Sequence, residues 1–71
     1  MIQFKLKEGE EFIKLGQALK AVNLVSTGAE AKEVILDGEV LVNGETDTRR
    51  GRKLYKDDKV SFRGEEIRII G

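Results

Sequence analysis

The stretch TGAEAKEVILDGEVLVNG, residues 27–44, carries a run of local signals whose order decides the fold. Thr27 and Glu30 stand at capping-box spacing, which starts a helix by giving two orphan backbone donors side-chain acceptors. Ala31, Val34 and Ile35 fall on one side of that helix. Gly38 ends it, because a left-handed C-terminal cap suits a residue without a Cβ. Val40-Leu41-Val42 reads as a strand, and Asn43-Gly44 is a strong two-residue hairpin signal.

Upstream, Ile2-Gln3-Phe4-Lys5-Leu6 alternates apolar and polar residues, as a half-buried strand does. Glu8-Gly9-Glu10-Glu11 interrupts it and supplies acids suited to a helix start. Phe12, Leu15, Leu19 and Val22 then recur at spacings of three and four, which predicts a first helix of about three turns. Lys14 and Gln17 fall outside that stripe and face solvent or a partner. Downstream of the hairpin, the returning strand is short and polar. Lys56-Asp57-Asp58-Lys59 reads as a turn, with the acid pair shaping it. Val60-Ser61-Phe62 and Ile67-Arg68-Ile69 read as strands joined through Gly64. The expected architecture is a single α+β domain over residues 1–71, with two helices packed on a small antiparallel sheet of about five short strands.

Composition removes several function classes. The 71 residues include neither cysteine nor histidine. Disulfides, thiolate metal sites, the usual neutral-pH general base and every His-activated nucleophile are therefore absent. No apolar run exceeds three residues, too short for a membrane span or signal-peptide core. The expectation is a cytoplasmic, monomeric, non-catalytic protein without metal or cofactor. The acid pairs Glu10/Glu11, Asp57/Asp58 and Glu65/Glu66 sit in expected turns, where carboxylates are solvated and lack the shifted pKa values that catalysis needs. Neither phosphate-binding glycine motif of nucleotide enzymes is present.

The formal net charge is zero, yet the charge is segregated. Residues 1–48 hold five lysines against nine acids, a sum of −4, while residues 49–71 hold eight cations against four acids, a sum of +4. The basic run TRRGRK, residues 48–53, dominates the second part. Arg49, Arg50, Arg52 and Lys53 around a flexible Gly51 could grip phosphate oxygens and displace counterions. They could equally form a solvated loop paired with Glu45 and Asp47. A helix N-terminus at Thr27-Gly28 offers free N–H groups to an anion, and Lys32 lies one turn inside it. Phe4, Phe12 and Phe62 sit at core phases and only Tyr55 is expected to be exposed. That favours a nucleic-acid backbone or folded RNA shape over splayed bases.

Three segments carry a family resemblance: Lys14-Leu15-Gly16-Gln17-Ala18-Leu19, the run from Thr27 to Ile35, and Gly38-Glu39-Val40-Leu41-Val42-Asn43-Gly44. In this order they resemble the S-four domain, an RNA-binding module named after protein four of the small ribosomal subunit. The Lys56-Asp57-Asp58-Lys59-Val60 turn is similar to the family's closing signal. T-G-A-E-A-K and T-R-R-G-R-K are similar to hallmarks of its short stand-alone bacterial subgroup.

The resemblance implies an L-shaped helix pair (the alpha-L motif) with a hairpin. It also implies a basic face laid on structured RNA such as ribosomal RNA or tRNA, in a ribosomal subunit or its precursors. Lys14 stands where the family has Arg, and Gly16 where it has Asp. Thr27-Gly28 stands where the family has Ser-Arg, and Lys32 keeps the later cation of that helix. The implied contact residues are Lys14, Gln17, Thr27, Gly28, Lys32, Arg49, Arg50, Arg52 and Lys53, with the basic run taking over part of the binding. The competing reading is a small sulfur-carrier or ubiquitin-like protein, suggested by the opening strand and Gly71. Such carriers use a free Gly-Gly tail, whereas this sequence reads Ile69-Ile70-Gly71.

Overall fold

The computed structural model describes residues 1–71. In chain order the elements are β1 (Ile2–Lys5), β2 (Ile13–Lys14), α1 (Leu15–Ala21), α2 (Gly28–Leu36), β3 (Val40–Val42), β4 (Glu45–Thr46), β5 (Lys53–Leu54), β6 (Lys59–Phe62) and β7 (Glu65–Ile70). Five strands form one sheet in the order β1-β7-β6-β3-β4, and β2 pairs with β5 in a separate two-stranded ribbon. The helices cover one sheet face, giving the expected α+β architecture.

Two expectations change in detail. The sheet is antiparallel except at its edge, where β1 runs parallel to β7 with Ile2 opposite Ile67 and Phe4 opposite Ile69. Hairpin signals reveal only antiparallel neighbours; β1 joins β7 from the other end of the sequence, so no local turn announced it. The first helix begins at Leu15 rather than near Phe12, because Ile13 and Lys14 pair with Leu54 and Lys53. Phe12 therefore lies on the approach to a strand, and the helix buries Leu15, Gly16, Ala18 and Leu19.

The core is one cluster of 15 buried residues. Alternation sends Val40, Val42, Val60, Phe62, Ile67 and Ile69 to the helix side of the sheet, where cross-strand pairs such as Val60–Ile67 and Val40–Phe62 stack in register. Leu15, Leu19 and Ile35 meet them from the helices and are fully buried. Truncating any of these three to alanine would cost about 2–5 kcal/mol.

Both helices close with the same hydrogen-bond pattern. At the end of α1 the Leu24 N–H donates to the Leu19 carbonyl and the Asn23 N–H to that of Lys20, with Asn23 at φ 61°. At the end of α2, Glu39 and Gly38 donate in the same way to Val34 and Ile35, with Gly38 at φ 78°. These are Schellman motifs, and the positive-φ residue in each reverses the chain. At the hairpin, Asn43 and Gly44 both have positive φ, as a type I′ turn demands. No helix is long and apolar enough to cross a membrane.

Candidate nucleic-acid interface

The basic run is folded by an acid. Asp47 is only 6% exposed, and its carboxylate accepts hydrogen bonds from the Arg49 backbone N–H (2.9 Å), Arg49 Nε (3.1 Å) and Nη2 (2.8 Å), and Arg52 Nη1 (2.7 Å). The hydrogen bonds from the Arg49 side chain hold the Asp47 carboxyl well below the usual carboxylate range, against an opposing contribution from burial. The same pairing raises the Arg49 guanidinium above its ordinary value. Two of the four cations in the run thus staple their own loop.

The stapled loop then caps the first helix. No side chain caps α1 at Lys14. Instead the Leu15 N–H donates to the Arg52 carbonyl at 2.8 Å and the Gly16 N–H to the Arg50 carbonyl at 3.1 Å. Two of the unsatisfied donors that any helix start leaves are met this way. Glycine at position 16 makes room for the Arg50 side chain as it is placed, since an added Cβ would lie 2.7 Å from Arg50 Cγ.

The result is an open cleft of about 370 Å³ lined by Lys14, Gly16, Gln17, Lys20, Gly28, Ala31, Arg50 and Gly51. Three lining residues are cations and none is an acid. Lys14, Gln17 and Lys20 follow one another at helical spacing of three, so one side of α1 forms a wall. The N-terminus of α2 forms another, and the Gly28 and Ala29 N–H groups there have no partner within the chain. None of Lys14, Lys20 and Arg50 has a carboxylate within salt-bridge distance. The cleft can therefore accept anionic oxygens without first breaking an internal ion pair.

Of the residues expected at the site, Lys14, Gln17, Gly28 and Arg50 meet in this cleft. The others lie elsewhere. Arg49 and Arg52 turn to Asp47 and border a separate depression with Thr46 and Thr48. Lys53 places its Nζ 4.9 Å from the centroid of the Phe12 ring. The Thr27 hydroxyl is occupied in capping, accepting from the Glu30 N–H at 3.1 Å, and Glu30 in turn accepts from the Ser26 N–H. Lys32 is exposed on α2, one turn beyond Gly28 and outside the cleft lining.

Lys20 lines the cleft although the sequence pattern does not single it out; its spacing of three from Gln17 is the signal that places it there.

A profile of the S4 domain matches residues 4–70. A Bacillus subtilis protein named a probable ribosome maturation protein, RlbA, is 50% identical over 54 residues, 76% of each chain. The Escherichia coli protein YbcJ, whose name assigns it to RNA binding, is 33% identical over 58 residues, covering 82% of this chain and 83% of that one. The solution structure of E. coli YbcJ, described as revealing an αL motif involved in RNA binding, superposes with a TM-score of 0.73 at 31% identity. That match covers 100% of this chain and 89% of YbcJ. The T-G-A-E-A-K helix start, the hairpin glycine and this agreement in sequence and backbone converge: the chain belongs to the S4 domain family.

Proposed function

We propose that this chain is a non-catalytic RNA-binding module that holds structured RNA, ribosomal RNA or its precursors, against the cleft between α1, α2 and the stapled loop. The carrying observation is the convergence of Lys14, Lys20 and Arg50 from separate chain segments on one cleft without an acid. Three unpaired cations beside two free backbone donors match a run of phosphates in charge and in hydrogen-bond polarity. The names of the B. subtilis and E. coli relatives, a ribosome maturation protein and an RNA-binding protein, support this reading. In this reading the protein works in the cytoplasm as a monomer of one domain. Arg49 and Arg52 contribute by holding the loop that delivers Arg50, while Lys32 and Lys53 extend the positive surface on either side.

The sulfur-carrier alternative requires the residues before Gly71 to be extended and free. They are instead held in strand β7, whose residues pair with both β1 and β6.

The proposal is tested by fluorescence anisotropy against ribosomal RNA fragments, an RNA duplex and a DNA duplex over a range of salt. It predicts tighter binding to structured ribosomal RNA than to DNA. It also predicts a log–log salt slope of roughly 2 to 4, as for three or four neutralised phosphates. Salt-independent or equal binding to all three would overturn it.

A further inference from the structure

The ribbon of β2 and β5 has one face in the core and one in solvent. Leu54 is fully buried, and its register partner Ile13 packs against the core. Period-two alternation therefore sends Phe12, Lys14, Lys53 and Tyr55 to the outer face. Phe12 and Tyr55 lie outside the core cluster. Their ring centroids are 5.9 Å apart with planes inclined at 54°. Lys53 Nζ sits over the Phe12 ring, and Tyr55 remains 47% exposed. Phe12 was expected in the core as part of the first helix; its position on the ribbon leaves it free to support the tyrosine.

Tyr55 is also fixed from its backbone. Its N–H donates to the Asp58 carboxylate at 2.7 Å, and its carbonyl accepts from the Asp58 N–H at 3.0 Å. A ring with two torsions on a pinned backbone loses little entropy on forming a contact. Lys14, on the same ribbon face two residues from Phe12, also lines the cationic cleft, so it links the aromatic pair to the cleft.

We propose that the exposed Tyr55 ring, buttressed by Phe12 and flanked by Lys53, is a stacking site for one unpaired nucleobase of an RNA whose backbone lies in the cleft. The inference rests on the RNA-binding reading and adds a preference for RNA with unpaired nucleotides beside its helix. Lys14 and Lys53, the cross-strand pair beside the rings on the same ribbon face, favour a nucleic acid over an apolar peptide. A base presents a flat π-face to the ring while its phosphates meet the cations.

Tyr55 is the only tyrosine and the chain contains no tryptophan, so its fluorescence and ring-proton resonances report on this site alone. The experiment compares a short RNA hairpin having an unpaired loop with the same stem as a blunt duplex. The hairpin should quench Tyr55 fluorescence and shift its ring protons upfield, whereas the duplex should do neither. Tyr55→Ala should weaken hairpin binding about 5- to 100-fold, the effect of losing one base–aromatic stack, and leave duplex binding unchanged. Tyr55→Phe should retain wild-type affinity.

Equal binding of hairpin and duplex, both insensitive to Tyr55→Ala, would overturn the stacking site while leaving the salt-dependent cleft intact. Loss of ribosome-precursor co-sedimentation in Tyr55→Ala with unchanged binding to naked RNA would overturn it in favour of a protein-docking face. Absence of salt-dependent binding to any RNA would overturn both readings.

Discussion

Arg50 Cγ occupies the space into which a side chain at Gly16 would project, with only 2.7 Å between it and an ideal Cβ, while the Gly16 N–H binds the Arg50 carbonyl at 3.1 Å. The family resemblance puts an aspartate at position 16. Glycine there removes a negative charge from the cleft wall and opens the seat that Arg50 takes. Position 28, where the resemblance puts an arginine, is glycine, and Arg50 reaches the same cleft from a different loop.

Replacing Gly16 with alanine forces Arg50 to move, because its Cγ is near the backbone and cannot swing away as a side-chain tip could. We expect a destabilisation of about 1–3 kcal/mol from overpacking, read by thermal or urea denaturation. RNA affinity should fall several-fold. Gly16→Asp should lower it further through the added negative charge. Affinity unchanged in both variants would show that Arg50 needs no seat at Gly16.

At Gly28 the opposite holds. A Cβ built there meets nothing within 4 Å, so a side chain can leave the backbone without displacing a neighbour. Gly28→Arg should raise RNA affinity and steepen the salt slope by roughly 0.7 to 0.9, one additional phosphate contact. Anisotropy titrations at several salt concentrations measure both.

Asp47 makes the loop sensitive to acid. Its folded pKa is lowered, so the stabilisation it provides is fully present above the unfolded value of about 3.9 and lost as pH falls from there toward the folded value. Asp47→Asn should cost about 1–3 kcal/mol at neutral pH, because it leaves buried hydrogen bonds poorly matched. The difference in Tm between wild type and Asp47→Asn should be constant from neutral pH to about pH 5 and shrink below about pH 4. A difference that persists unchanged at low pH would show that the carboxylate charge is not what holds the loop.

Thr27 separates stability from binding. Its hydroxyl caps α2, and Thr27→Ala should cost about 1 kcal/mol in chemical denaturation. Its side chain does not line the cleft, so RNA affinity under conditions where the variant is folded should change less than twofold.

Local signals were legible where the chain satisfies its own backbone. The Thr27–Glu30 cap, the Gly38 Schellman motif and the Asn43-Gly44 turn each involve residues a few positions apart, and each forms as read. What escaped the sequence depends on distant partners. Phe12 matched the helical stripe, but pairing of Ile13 and Lys14 with Lys53 and Leu54 overrode that periodicity. The parallel β1–β7 pairing joins the two ends of the described chain. The basic run showed that charge was present, but not that Asp47 would draw Arg49 and Arg52 aside and leave Arg50 to the cleft. Four of the nine expected site residues line the cleft, Lys14, Gln17, Gly28 and Arg50, and Lys20 joins them through helical spacing alone.

The central claim, that RNA lies on the cleft built from α1 and the stapled loop, is tested most directly by charge reversal with a matched control. Lys20→Glu/Arg50→Glu changes two cleft cations, and Lys5→Glu/Lys7→Glu changes two that border a separate depression. Both leave net charge equal, so long-range electrostatics alone would affect them alike. We predict that the cleft variant loses at least tenfold in affinity for ribosomal RNA fragments and that its salt slope drops by roughly 1.4 to 1.8, two lost phosphate contacts. The control should stay within about threefold of wild type with an unchanged slope. Equal losses in the two variants, or a larger loss in the control, would contradict the account.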